Sequence, residues 1–272
     1  MLRHCAVVGD PAGHSLSPAI HRAGYEANEL AIDYQACTVA AADFPDFVRA
    51  RIDDPAWIGL SITAPHKEAL LTLGEADEPS RLVGGGNTIV FGAAGARVYN
   101  TDVSGFRTAW LAHGRAVPKT AAILGNGATA RSILLALARL GTTEVTVLAR
   151  RPERAQSMVP LADRLGVSIS VQPLTAPLRP VDLLASTIPA AAVAAQAPAL
   201  VAGAGAVFDV VYDPWPTPLT QQGLHAGRLV LSGLDLLAGQ AVDQFYLLTG
   251  RKVTFEQCRS AAGRELNRRR SL

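Results

Sequence analysis

The 272-residue chain holds only three cysteines, Cys5, Cys37 and Cys258, widely spaced and in no CxxC arrangement. An odd, scattered set builds neither a disulfide framework nor a cysteine zinc site, and it fits a reducing compartment. None of the six histidines falls in an HxxxH or HExxH spacing, so no metal cofactor is expected. No apolar run reaches the length that a bilayer demands. A dominant charge is missing as well: 25 Lys and Arg stand against 23 Asp and Glu. That balance gives no case for a nucleic-acid partner or a membrane surface. MLRHCAVVGD leads straight into a strand-like segment. The expectation is therefore a chain without a signal peptide, soluble and cytoplasmic. The basic stretch RELNRRRSL reads as a solvated helix end, where cations suit the dipole.

What is present is a long alternation of strand-like and helix-like segments, the pattern of an α/β fold with parallel sheets. HCAVVG (4–9), DYQACTV (33–39) and WIGLSIT (57–63) read as short buried strands, with helical stretches near 18–30 and 43–53. PHKEALLTL reads as a further helix with Pro65 in its first turn. NTIVF (87–91) and ARVYN (96–100) flank GAAG as a hairpin, and a helix runs from Asp102 to about His113. GRAVPK then resembles a linker. Beyond it, TAAILG, EVTVLAR, VSISV, VDLLAST, AVFDVVY and RLVLSG set up a Rossmann-like rhythm, with the alanine-rich stretch 190–199 read as a tightly packed helix. The closing helices follow this rhythm without being needed by it. They are expected to complete an N-terminal domain of residues 1–103 plus 235–272, around a nucleotide domain of 104–234.

GNGATA, residues Gly125, Asn126, Gly127, Ala128, Thr129 and Ala130, matches G-x-G-x-x-G/A between a predicted strand and a predicted helix. The glycines allow a tight turn and close backbone approach to a pyrophosphate, and the helix N-terminus favours the anion. The next strand ends on Arg150 and Arg151, with Arg154 one turn on, where an NAD-selective unit often carries an acid. Guanidiniums there suit a 2′-phosphate through charge-assisted, bidentate bonds. NADP is the cofactor expected.

Three N-terminal stretches carry chemistry. GDPAGHSLSPAIH places Ser15 and Ser17 two residues apart, as paired hydroxyls for a polar ligand or with Ser17 as a helix cap. SITAPHKEAL puts Lys67 after a strand end, in a first helical turn where the dipole mildly disfavours a cation. Such a setting suits an acid–base group. Asn87 and Asp102 sit at borders of strand and loop, and an aspartate near Lys67 could hold its ammonium. Asp102 is alternatively a helix cap.

The ordered set SLSP, T-x-P-x-K, GNT, NTD, GxGxxA, xRxxxRA, YDPWPTPL and GLDLLAGQA spans the chain and resembles the shikimate dehydrogenase family. The resemblance implies two α/β domains with the site in the cleft between them. It implies reversible, NADPH-dependent reduction of 3-dehydroshikimate to shikimate, a small-molecule substrate, by a monomer or homodimer. It also implies that Ser15 and Ser17 bind the substrate carboxylate, helped by Thr63 and Tyr212. Lys67 and Asp102 would be the catalytic pair, Asn87 and Gln240 would hold ring hydroxyls, and Gly233 would join the cofactor site. Ser61, Gly86, Val103, Ala149 and Arg151 depart from the commoner family residues. A quinate-preferring or NAD-using relative, and a sensor that binds NADP without catalysis, are the alternatives.

Overall fold

The computed structural model describes residues 2–271, and the chain divides into two compact units, Met1–Thr108 with Leu237–Leu272, and Ala109–Leu236. The first unit contains β1 (Arg3–Gly9), α1 (Ser17–Ala27), β2 (Ile32–Thr38), α2 (Phe44–Ile52), β3 (Trp57–Ile62), β4 (Glu75–Ala76), α3 (Glu78–Val83), β5 (Thr88–Gly92), β6 (Gly95–Tyr99) and the start of α4 (Thr101–Ala112). Its sheet runs β2-β1-β3-β5-β6-β4. β1 pairs in parallel with β2 and β3, while β5 lies antiparallel to both β3 and β6. The sheet is thus mixed, because the GAAG hairpin reverses the chain within a few residues. Cys5 to Val8 of β1 are all buried, as an unbroken apolar run requires of a strand covered on both faces. Phe44 and Val48 of α2 pack with Val8, Leu60, Ile62, Ile89 and Val98 of the sheet. Burying each large side chain of this kind stabilises the fold by roughly 1.5–3 kcal/mol.

Two local expectations are corrected here. PHKEALLTL is not an α-helix: residues 64–68 form turns and only Ala69–Thr72 makes a short 3₁₀ turn. The Lys67 carbonyl accepts from Gly86 N instead of from a residue one helical turn ahead, and Leu71 N bonds Glu68 O. Ser17 is the first residue of α1, not its cap, and Asp102 likewise lies inside α4. The side chain that caps α4 is Asn100, whose Oδ1 accepts from Asp102 N at 3.1 Å and from Val103 N at 3.4 Å.

The second unit contains β7 (Thr120–Leu124), α5 (Ala128–Leu140), β8 (Glu144–Ala149), α6 (Pro152–Ala155), α7 (Val159–Leu165), β9 (Ser168–Pro173), β10 (Val181–Ser186), α8 (Ala197–Ala202), β11 (Ala204–Asp209), α9 (Pro218–His225) and β12 (Leu229–Ser232). All its strands are parallel, in the order β12-β11-β10-β7-β8-β9. That is the doubly wound, dinucleotide-binding order, with its switch point between β7 and β10. Leu124, Leu148, Leu184, Val207 and Leu219 are fully buried in its core. The stretch 190–199 is not one helix. A 3₁₀ turn at Ala190–Ala192 precedes α8, where Pro198 lies in the first turn and suits a fresh start.

α10 (Gly233–Thr249) and α11 (Phe255–Arg270) close the chain, and most of α10 and all of α11 belong to the first unit. α11 opens with a capping box of Thr254 and Gln257. It buries Cys258, Ala261, Ala262 and Leu266, an apolar stripe at helical spacing, and packs on α1. Its basic end is not merely solvated, since Arg269 bonds the carbonyls of His14 and Ser15.

Candidate active site

β1 and β3 end side by side: Thr63 N bonds Val8 O at 2.9 Å and Asp10 N bonds Ala64 O at 3.0 Å. Their exit loops carry Ser15 and Ser17 on one side and half-buried Thr63 and Lys67 on the other. The turn bearing Lys67 is anchored by its neighbour His66, which is buried, bonds Val39 O through Nε2 at 2.8 Å and stacks on Phe44. Lys67 Nζ then donates to Asp102 Oδ2 at 2.5 Å, with 15% of the lysine side chain and 7% of the aspartate exposed. A pair so shielded is far less screened than a surface ion pair. The charge is distributed further. Asn87 Nδ2 donates to Asp102 Oδ1 at 2.9 Å and lies within bonding distance of Thr101 Oγ1 and Gln240 Oε1. Lys67, Asn87, Asp102 and Gln240 therefore form one connected cluster, joined by Thr101.

The serine pair is a second arrangement in the same unit. Ser15 Oγ accepts from Ser17 N at 3.2 Å, which leaves the Ser15 hydroxyl proton free to donate elsewhere. Tyr34 is fully buried and stacked on His21 with ring centroids 4.3 Å apart. Its hydroxyl donates to Ser61 Oγ at 2.5 Å and also interacts with Ser17, and burial pushes its pKa well up. Ser61 is 3% exposed.

In the second unit, Gly125 has φ +103°, and a Cβ there would meet Thr187 Oγ1 and Ile188 Cγ2 at 2.7 Å. Only glycine fits this left-handed, crowded turn at the switch point. Gly127 is the N-cap of α5, with no side chain capping it and open space where its Cβ would be. The amides of Ala128, Thr129 and buried Ala130 thus begin a thirteen-residue helix at an end left open for an anion. Asn126 accepts from Arg131 through its carbonyl, at 3.3 Å. Arg150, Arg151 and Arg154 follow β8 and are all exposed. Tyr212 lies in the loop after β11, half-buried. Gly233 stands against it: a Cβ on Gly233 would sit 1.9 Å from Val210 O and 3.0 Å from Tyr212 Cδ1. The residues so placed fit a dinucleotide, and the loop after β11 that carries Tyr212 is fixed by buried Asp209, which accepts from Thr217 Oγ1 at 2.7 Å.

The chain as a whole is similar to known proteins. A family model described as the shikimate dehydrogenase substrate binding domain matches residues 7–89. The NADP(+) shikimate dehydrogenase of Methylobacterium radiotolerans is 36% identical over 252 residues, 88% of each chain. The chain belongs to the shikimate dehydrogenase family. The crystal structure of the Mycobacterium tuberculosis shikimate dehydrogenase aligns with a TM-score of 0.88 and 37% identity, covering 96% of this chain and 99% of that one. The Thermus thermophilus enzyme, solved in complex with NADP(H) and shikimate, aligns with a TM-score of 0.82 and 30% identity over 96% and 99% of the two chains.

Within this shikimate dehydrogenase fold, several residues near the clusters carry no motif signal. Gln244 donates to Thr88 Oγ1 at 2.8 Å and to Asn87 O at 3.2 Å, and accepts from His21. Its spacing of four from Gln240 on a helix was the available clue. Tyr34, His66 and Asp209 look in the sequence like ordinary core residues. Among the described residues, no group of three or more His, Cys, Asp and Glu could hold a metal ion, and no helix is long and apolar enough to cross a membrane.

Proposed function

We propose that this chain is an NADP-dependent shikimate dehydrogenase, with Lys67 and Asp102 as its proton-transfer pair. The observation that carries the reading is the shielded 2.5 Å bond between them, tied through Asn87 to Gln240. NADPH, when bound, supplies the hydride that reduces the carbonyl carbon of 3-dehydroshikimate. Lys67 supplies the proton that the carbonyl oxygen takes up, and its charge stabilises the developing oxyanion. Asp102 holds the ammonium in place and, with Asn87 fixing its second oxygen, keeps a single orientation. In the reverse direction Lys67 takes the alcohol proton.

The free hydroxyl proton of Ser15, with Ser17 and Thr63, anchors the substrate carboxylate, while Asn87 and Gln240 engage ring hydroxyls. The open helix end at Gly127–Ala130, entered through Gly125 and Asn126, takes the pyrophosphate, and Gly233 is a further cofactor residue. Arg150, Arg151 and Arg154 take the 2′-phosphate. A net charge of +2, three cysteines without a partner pattern and a small-molecule substrate support a cytoplasmic enzyme, monomeric or dimeric, with no nucleic-acid or membrane partner.

The test is a cofactor-reduction assay offering shikimate or quinate with NADP or NAD. Turnover confined to shikimate with NADP is expected. Absence of turnover with every pair, while NADP still binds, would overturn the reading.

A further inference from the structure

The end of α11 reaches the serine loop through one side chain. Arg269 donates from Nη1 to His14 O at 2.8 Å and from Nη2 to Ser15 O at 3.0 Å. Its Nε donates to Glu265 Oε1 at 2.7 Å. Glu265 is itself clamped by Arg268, from Nε at 2.8 Å and Nη2 at 2.9 Å. These two arginines hold the Glu265 carboxyl down to about 2, so it stays ionised at working pH. The guanidinium is thus fixed on one side by a carboxylate and on the other by two consecutive carbonyls.

We propose that Arg269 is a positioning residue that orients the Ser15 and Ser17 hydroxyls for the substrate carboxylate; this rests on the reading of those serines given above. The loop has few other ties: Ala12 N bonds Thr38 Oγ1 at 3.1 Å, and Ser15 N bonds Ala12 O at 3.0 Å. His14 and Gly13 are exposed. Rotation of the backbone about Ser15 moves the Oγ that accepts from Ser17 N, so both serines feel it. Two charge-assisted bonds from a planar fork oppose that rotation, and a lysine could supply only one fixed direction. Arg268 touches the same glutamate but neither carbonyl, so it serves as the control.

The experiment compares Arg269→Ala, Arg269→Lys, Arg268→Ala and Ser15→Ala in the full chain by steady-state kinetics and thermal unfolding. For Arg269→Ala the KM for shikimate should rise about tenfold, equivalent to roughly one displaced charged hydrogen bond. Its kcat and its KM for NADP should stay within about twofold. Arg269→Lys should show an intermediate KM and carries the test if the alanine variant fails to fold. Arg268→Ala should leave all three constants unchanged. An unaltered shikimate KM in Arg269→Ala, a parallel rise in both KM values, or an equal effect of Arg268→Ala overturns the proposal. If Ser15→Ala leaves the shikimate KM unchanged, the carboxylate reading itself fails. If only Ser15→Ala raises it, Arg269 alone is wrongly assigned.

Discussion

A Cβ placed on Gly239 would stand 2.2 Å from the carbonyl oxygen of Gly105. A Cβ on Gly105 would in turn stand 2.5 Å from the backbone nitrogen of Gln240. α4 and α10 therefore meet backbone to backbone, and this contact is what brings Gln240 Oε1 within 3.2 Å of both Asn87 and Thr101. Gly239→Ala puts a methyl against a carbonyl that has no side chain to rotate away. Overpacking of this kind costs about 1–3 kcal/mol. The expected result is a lowered Tm together with a loss of about tenfold or more in kcat/KM for shikimate. Wild-type values of both would show that the helices can separate without disturbing the cluster.

The exposed arginines after β8 lend themselves to a cofactor-swap experiment. Removing a guanidinium that binds a phosphate dianion forfeits about 1.5–3 kcal/mol. Arg150→Ala or Arg154→Ala should thus raise the KM for NADP about ten- to hundredfold, while the KM for NAD stays near its starting value. Added salt should weaken NADP binding to the parent more than to either variant. Equal losses for the two cofactors would mean that the arginines shape the loop without reading the 2′-phosphate.

His21 makes a prediction about acid stability. It is fully buried among Tyr25, Tyr34, Phe245 and Gln244, and burial pushes its pKa from 6.5 down to about 4. The folded state thus binds fewer protons than the unfolded one between those values, so stability is complete above about 6.5 and falls as pH drops toward 4. The full loss is on the order of 3 kcal/mol. Thermal unfolding across that range should show a declining Tm, and His21→Gln should flatten that limb. A variant with the same slope as the parent would place the acid sensitivity elsewhere.

Much of the architecture was legible because periodicity and turn chemistry act over short spans. Buried strands such as HCAVVG, the GAAG hairpin and the GNGATA turn each announce themselves within ten residues. What stayed hidden depends on partners distant in sequence. The turn at Lys67 looks helical until Gly86 N claims its carbonyl. Asp102 looks like a cap until Asn100 is seen to fill that place. Ser61 reads as a short stand-in for a polar residue, but only the fold brings the Tyr34 hydroxyl against it. Arg269 reads as a solvated cation, because nothing in a sequence reveals two backbone carbonyls more than 250 residues away.

The most direct test of the account is the turnover of Lys67→Ala beside its affinity for NADP. Loss of a positioned acid–base group should lower kcat by about 10²–10⁴-fold. Because the proposed cofactor residues lie in the other unit, NADP should bind within about twofold of the parent, and a thermal unfolding profile matching the parent's checks that the unit carrying Lys67 is folded. Retained binding with kcat so reduced is the result the account predicts. Turnover within about tenfold of the parent would contradict it and remove Lys67 from the chemistry.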